Sequence, residues 1–174
     1  MRKFIKHNSR LLVIVLSAII VLSIVWVVLG ARQTIVQPIE YNHKLHIEIV
    51  ELICTDCHIN VETMPSATIP NIELCEECHY DEPMTESPEE AKLIKYIEES
   101  KQIPWQQIYS VPDHVYFSHK RHVVIGELAC YECHGHVEEL SQPSPYPIWL
   151  PSMDNCIDCH KQLKVTSDCL SCHR

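Results

Sequence analysis

All ten cysteines of this 174-residue chain stand in one repeated pattern, in which two cysteines separated by two residues are followed directly by a histidine. Two thiols at this spacing can form thioethers with the two vinyl groups of one porphyrin, and the adjacent imidazole can bind its iron. The thioether positions would be Cys54, Cys57, Cys75, Cys78, Cys130, Cys133, Cys156, Cys159, Cys169 and Cys172. The proximal iron ligands would be His58, His79, His134, His160 and His173. The pattern therefore predicts five covalently bound haem c groups.

Two other uses of paired cysteines fit the pattern less well. Five disulfides would not require a histidine at one constant offset from every pair. Zinc sites would each use two pairs, which would leave the fifth pair without a partner. Covalent haem is the interpretation that accounts for every copy of the motif.

Two His-x-x-His pairs are each followed, after seven residues, by a haem motif. The pairs are His43 with His46, and His119 with His122, and the same Glu-Leu dipeptide stands between each pair and its motif. Each half then continues to a second haem motif. The chain is therefore predicted to be a duplicated two-haem unit, followed by a short tail that carries the fifth haem.

The histidine pairs predict distal iron ligands. Histidines on one helical turn project from neighbouring positions, so each can cap a different haem, and two pairs provide for four irons. The fifth iron needs another donor. Met153 is the first choice, because it stands three residues before a haem motif and has no counterpart in the first half; a thioether ligand would raise the potential of that haem. His114 is the alternative, and His136 is a further candidate.

The N-terminus combines a basic segment with an apolar stretch. Residues 1–10 carry four Lys and Arg and no acid, and Leu11 to Leu29 is interrupted only by Ser17 and Ser23. At about 1.5 Å per residue, these residues form a helix roughly 28 Å long, close to the thickness of a bilayer core. This predicts a single-pass anchor over 11–30 in the cytoplasmic membrane, with 1–10 cytoplasmic and the haem domain on the periplasmic side. A cleaved signal peptide is the alternative, with a weak site at Val28-Leu29-Gly30.

The rest of the chain is acidic. Four of the 14 Lys and Arg precede the apolar stretch and none of the 23 Asp and Glu do, so the remaining chain has a net charge of −13. Nucleic acid is not an expected partner, because binding it depends on cationic neutralisation of phosphate. An acidic surface could dock a basic redox protein, although it equally favours solubility.

The remaining residues predict a mostly irregular fold with short α-helices around a haem-packed core. Roughly 144 residues for five haems leave too little chain for a conventional hydrophobic core. The first two-haem repeat covers 31–82, a spacer helix and loop cover 83–112, and the second repeat with the fifth-haem tail covers 113–174. The spacer helix is expected to start at Ser87-Pro88-Glu89-Glu90, which offers a cap, an N1 proline and early acids. We expect one face of it to pack on haem edges.

Taken together, these features resemble the class III multihaem cytochromes c, in which a His-x-x-His pair precedes the first haem motif and caps two haems. The likeness is greater to the membrane-anchored pentahaem subunit of alternative complex III and its relatives near molybdopterin-type oxidoreductases. The residues that carry this resemblance are Gln37–His46, Pro112–His119, Cys133–Gly135, Met153 before Cys156, and Asp168-Cys169. The resemblance implies electron transport in a respiratory chain, with redox proteins or complex subunits as partners.

Electron transfer without a substrate site of its own is therefore the leading hypothesis, because an iron with both axial positions filled cannot bind substrate. A membrane-anchored quinol dehydrogenase is the alternative; that family typically has Met two residues after its first haem histidine, where this chain has Asn60. A haem reductase of small oxyanions is a third possibility, but no Cys-x-x-Cys-Lys motif provides an open iron here.

Overall fold

The computed structural model describes residues 2–30, 34–80 and 82–173, with side chains from 12 to 27 in the first of these ranges. The described chain divides into two compact units, residues 1–34 and 35–174. The first unit consists of helix α1 (Arg2–Gly30). The basic side chains before position 11 and both ends of the predicted anchor, at 11 and 28–30, lie outside the described side chains. In the described residues, no helix combines the length and the hydropathy of a membrane span.

The second unit consists of short helices joined by irregular segments, and no β-strand occurs among its described residues. The α-helices are α2 (His43–Glu48), α3 (Cys54–Cys57), α4 (Ile72–His79), α5 (Pro88–Glu98), α6 (Tyr131–His134), α7 (Met153–Gln162) and α8 (Cys169–Cys172). A π-helix (Arg121–Ile125) precedes α6, and a 3₁₀-helix (Val137–Glu139) follows it. One isolated antiparallel bridge joins Val115 to His173. The predicted helical and irregular fold class is confirmed for the described residues.

Side-chain caps define where several of these helices begin. Ser87 accepts a hydrogen bond from the backbone N–H of Glu89 at 3.3 Å, and Pro88 occupies the first helical position of α5, as predicted. The same kind of cap precedes α2, α4, α7 and α8, at Asn42, Asn71, Ser152 and Asp168. Each such cap contributes about 1 kcal/mol. Helices this short are unstable alone, so local caps and tertiary packing together determine their ends.

The main apolar cluster lies around α4 and α5, which pack on each other. Ile39, Ile72 and Ile103 are buried together at its centre. The partly buried side chains packed against them are Cys75, Leu93, Tyr96, Ile97 and Trp105. The apolar face of α5 therefore lies in the same cluster as a cysteine of the second haem motif.

Protein side chains alone build only a small core in this unit. Among the described residues, the buried apolar side chains are Ile39, Val61, Ile72 and Ile103, and no side chain is fully buried. Domains of this size normally bury well over half of the surface that the unfolded chain exposes. Apolar residues beside or within the haem motifs, such as Ile59, Tyr131 and Leu170, are exposed instead. This apolar surface is suited to cover flat apolar groups, as the predicted haems would be.

Candidate haem-binding sites

We number the five Cys-x-x-Cys-His motifs sites 1 to 5 in chain order. Each motif lies on a short helical turn, provided by α3, α4, α6, α7 and α8 respectively. Residues three apart in a helix are neighbours on one face, so both thiols of a motif project to the same side. All ten cysteines are unpaired, which leaves every thiol free for a thioether bond.

At four sites the ring of a second histidine faces the ring of the motif histidine. The ring centroids are 6.3 Å apart for His46 and His79, 6.4 Å for His119 and His134, 6.1 Å for His122 and His160, and 5.5 Å for His114 and His173. A metal–nitrogen bond is about 2 Å long, and the ring centroid lies about 1 Å beyond the nitrogen. The centroids of two imidazoles on opposite sides of one metal ion are therefore about 6 Å apart. Sites 2 to 5 therefore have the imidazole spacing of an iron with two histidine ligands.

At site 1 the corresponding histidines are His43 and His58. Burial, and then the nearby imidazoles of His58 and His46, lower the pKa of His43 to about 4, so its ring is neutral as metal ligation requires. Its buried Nδ1 atom has no hydrogen-bond partner within the described part of the chain. A buried ring nitrogen without a hydrogen-bond partner is costly, which sets His43 apart from the histidines whose Nδ1 atoms are paired.

The three candidates for the fifth distal ligand lie in different surroundings. His114 is exposed, and its ring lies 5.5 Å from that of His173 with nearly parallel planes. The bridge from Val115 to His173 holds the neighbouring chain in place. The N–H of Tyr116 also donates to the carbonyl of Cys172 at 2.7 Å. Met153, at the start of α7, is 62% exposed. His136 is likewise exposed and makes an ion-pair contact with Glu138 at 2.7 Å.

Backbone carbonyls orient five of the ten candidate iron-ligand imidazoles. The Nδ1 atoms concerned, with their acceptors, are those of His46 (Asn42 carbonyl, 2.9 Å), His58 (Thr68, 2.9 Å), His119 (Pro65, 3.0 Å), His122 (Ser118, 2.8 Å) and His160 (Thr166, 2.6 Å). A carbonyl can only accept, so Nδ1 carries the proton and Nε2 is left with its lone pair for a metal. Histidines that bind metals in proteins are commonly held in this way.

The two His-x-x-His pairs have matching surroundings. Tyr41 stacks on His46 with centroids 4.5 Å apart, and Phe117 stacks on His122 at 4.7 Å. The same two aromatic rings pack edge-on against the first histidine of each pair. Glu51 has a φ of 62° and its counterpart in the second half, Glu127, a φ of 53°. The sequence repeat thus corresponds to a repeat in local geometry around the candidate distal ligands.

At site 2 a carboxylate takes the place of the backbone carbonyl. The Nδ1 atom of His79 lies 3.0 Å from Oε1 of Glu90, whose side chain is buried in α5. Glu90 also accepts hydrogen bonds from the N–H of Met84 at 2.9 Å, from the N–H of Thr85 at 2.8 Å and from the hydroxyl of Thr85. Desolvation raises the pKa of Glu90, but these hydrogen bonds outweigh it and hold the pKa at about 2. Glu90 is therefore an anion next to the candidate proximal ligand.

The electrostatic effects of thiols on one another show that site 1 lies close to sites 2 and 3. Burial, and then the charge of the Cys57 thiolate, raise the pKa of Cys75, so sites 1 and 2 adjoin. Burial, and then Cys130, raise the pKa of Cys54, so sites 1 and 3 adjoin. These pairings connect the two sequence halves through the first motif of each.

The pKa values of two further thiols show which of the remaining sites are neighbours. Burial raises the pKa of the Cys133 thiol most, and nearby Cys159 raises it next. Cys159 is therefore close to Cys133, so site 3 lies next to site 4. Burial raises the pKa of the Cys156 thiol most, and nearby Cys172 raises it next. Cys172 is therefore close to Cys156, so site 4 lies next to site 5. These electrostatic neighbours indicate the spatial order 2, 1, 3, 4, 5 for the five sites.

Sequence reasoning did not identify the residues that orient the imidazoles. Glu90 was recognised only as an early acid of α5, and its contact with His79 spans eleven residues and two helices. Thr68, Pro65 and Thr166 act through backbone carbonyls, which carry no signal in residue type. Folding, rather than any motif, brings these acceptors to the rings.

The paired imidazoles, the free thiol pairs and the small protein core together define a class, the multihaem cytochromes c. No protein-family profile matches the chain. Over 99 residues it is 35% identical to the "menaquinone reductase, multiheme cytochrome c subunit" of Nitratidesulfovibrio vulgaris strain Hildenborough. The matched region is 56% of this chain and 45% of that protein, so the chain aligns with less than half of its relative. This similarity supports the same class.

Proposed function

We propose that this chain is a pentahaem c-type cytochrome that conducts electrons through haems with two histidine ligands each. The observation that carries the proposal is the presence of a second imidazole 5.5 to 6.4 Å from the motif histidine at sites 2 to 5. The five thiol pairs support the count of five haems. The scarcity of buried apolar side chains supports haems as the centre of the fold.

The proposed distal ligands follow from the ring pairs. They are His43, His46, His119, His122 and His114 for sites 1, 2, 3, 4 and 5. The first four keep the ligands predicted from the sequence. For the fifth iron we prefer the alternative, His114, to Met153, because the His114 ring lies 5.5 Å from that of the motif histidine His173.

Two imidazoles at each iron favour electron transfer over substrate chemistry. When bound, a c-type haem exchanges one electron between ferric and ferrous iron. The chain's own residues would hold an imidazole on each side of it, and hydrogen bonds at Nδ1 would leave Nε2 free to bind the metal. Such an arrangement leaves no axial position for an oxyanion, which argues against a reductase. We propose that electrons pass along the order 2, 1, 3, 4, 5, with sites 2 and 5 as the two ends.

We further propose that the chain serves in a quinone-linked respiratory complex. The similarity to a subunit named as part of a menaquinone reductase supports this, and the resemblance to the pentahaem subunit of alternative complex III agrees with a quinone-linked role. In this assembly the chain would pass electrons between a redox protein and quinone-reactive or molybdopterin-type subunits. The net charge of −13 beyond the apolar stretch would suit a basic redox protein.

The membrane anchor over 11–30 and the periplasmic location remain predictions. Expression of the full chain, followed by an alkaline wash of the membranes, tests the anchor. The chain should stay with the membrane, and external protease should digest its haem domain in spheroplasts. Release of the full-length chain by the wash would contradict the anchor, and protection from protease would contradict the location.

The central experiment is to purify the full-length protein from cells that attach c-type haem. Its intact mass should correspond to the polypeptide plus five haems. The dithionite-reduced protein should bind no carbon monoxide, since every iron has two protein ligands. A mass equal to the bare polypeptide, or carbon monoxide bound to several haems, would overturn the proposal.

A second measurement tests the quinone-linked role. A menaquinol analogue should leave the haems of the isolated chain oxidised, because the chain carries no quinone site of its own in this proposal. The same analogue should reduce them when the partner subunits are present. Rapid reduction of the isolated chain would favour a quinol dehydrogenase instead.

A further inference from the structure

Glu90 is a buried carboxylate directed at one candidate iron ligand. Its relative exposure is 8%, the lowest of the charged side chains in the described structure. Three of the four groups that bind it, the N–H of Met84 and the N–H and hydroxyl of Thr85, come from the segment between α4 and α5, and the fourth is the imidazole of His79. Burial of a carboxylate is costly, and these donors compensate for it. The carboxylate is thereby fixed at the outer edge of the His79 ring.

We propose that Glu90 is a positioning residue that lowers the reduction potential of the haem at site 2 by drawing the Nδ1 proton of His79 towards its carboxylate. The inference rests on the proposed function in one respect, that a haem with His79 as a ligand occupies site 2. A carboxylate behind a metal-bound histidine makes the imidazole a stronger donor. Stronger donation, together with a fixed negative charge nearby, stabilises ferric over ferrous iron.

Site 4 offers an internal comparison, because it is the counterpart of site 2 in the repeat. The ring centroids are 6.3 Å apart at site 2 and 6.1 Å apart at site 4, with interplanar angles of 50° and 44°. The two sites differ in what holds the motif histidine: Glu90 binds His79, whereas the carbonyl of Thr166 binds His160 at 2.6 Å. We therefore expect site 2 to have the lower potential of the two.

The test is a redox titration of the purified full-length holoprotein, monitored by electron paramagnetic resonance, with three variants. Glu90→Gln keeps the size of the side chain and removes its charge. It should raise the reduction potential of one haem by about 59 mV. For a one-electron couple, this corresponds to a roughly tenfold higher ratio of reduced to oxidised haem at a given ambient potential. The g-values of that one ferric haem should change as well. The other haems should keep their potentials.

Two further variants separate this role from a structural one. Glu89→Gln removes the same charge from the neighbouring position of α5, where the carboxylate binds the N–H of Glu40 and Lys92, and should leave the potentials unchanged. Thr85→Val removes the hydroxyl that donates to Glu90. The freed carboxylate should then bind His79 more strongly, so the potential of site 2 should shift downward, opposite to the effect of Glu90→Gln.

The intact mass of each protein is measured first. If the wild-type protein lacks haem at site 2, the proposed function and this inference both fail. If Glu90→Gln retains all haems and their potentials do not move, only the inference fails. If Glu90→Gln loses a haem, the Thr85→Val titration decides: a downward shift supports the role of Glu90, and an unchanged potential overturns it.

Discussion

Replacement of His114 by alanine is expected to open one iron and leave the other four closed. The reasoning starts from the ring of His114, which lies 5.5 Å from that of His173 with planes inclined by 19°. The bridge from Val115 to His173 and the hydrogen bond from Tyr116 to Cys172 hold this segment through the backbone. Truncation at Cβ should therefore remove the imidazole without displacing the chain around it.

The expected magnitude is one carbon monoxide per chain, or about one fifth of the haem. The wild-type protein should bind none, because each of its irons has two imidazole ligands in the proposed assignment. The assay is a carbon monoxide titration of the dithionite-reduced protein, followed by its absorbance difference spectrum. Electron paramagnetic resonance of the oxidised variant should show one high-spin ferric haem in addition to four low-spin haems.

The matched control is Met153→Leu, which removes the other candidate ligand at similar side-chain volume. It should bind no carbon monoxide, because Met153 binds no iron in the proposed assignment. His114→Met should restore a six-coordinate iron with a raised potential, since a thioether ligand favours ferrous iron. Carbon monoxide binding by Met153→Leu and none by His114→Ala would refute the assignment and return Met153 to the role first predicted for it.

Four further variants test the packing. Gly135→Ala should reduce the free energy of unfolding by about 1–3 kcal/mol in chemical denaturation, because Gly135 has a φ of 64° and a new Cβ would lie 2.9 Å from Cγ2 of Ile148; an unchanged midpoint would contradict the strained geometry. Tyr41→Phe should be tolerated within about 1 kcal/mol, because the second half carries Phe117 at the equivalent position. Tyr41→Ala should lose about 0.5–1.5 kcal/mol per aromatic contact in thermal melts, and equal stability of the two Tyr41 variants would show that the stacking contributes little. A chain with all ten cysteines changed to alanine should lack a cooperative thermal transition and be digested rapidly by protease. The reason is that four buried apolar side chains cannot stabilise the described residues of 35–173 without haem. Protease resistance of this variant would contradict a haem-packed core.

The sequence predicted the chemistry of this protein better than its three-dimensional arrangement. The Cys-x-x-Cys-His motif is local, so its thiols lie on one helical turn whatever the rest of the chain does. The start of α5 at Ser87 was equally predictable, because a cap and an N1 proline act within one turn. The absence of strands among the described residues agrees with a sequence that has eleven prolines and repeated haem motifs.

The fifth distal ligand was harder to predict, because the choice between His114 and Met153 depends on contacts across some sixty residues. In sequence, Met153 stands next to a haem motif, and that proximity favoured it. In the structure, the bridge between Val115 and His173 brings His114 to the C-terminal motif instead. Pairing of distant segments leaves no periodic signal along the chain, so no local rule could have found it.

The sequence by itself therefore determined which atoms can bind haem: five thiol pairs, five adjacent imidazoles and two further histidine pairs. These are properties of residue type and short spacing. Only the tertiary structure decided which imidazole faces which motif, the spatial order of the sites, and the presence of Glu90 behind His79. The physical reason is that ligand geometry and the environment of each imidazole depend on distances between segments far apart in the chain, which only packing determines.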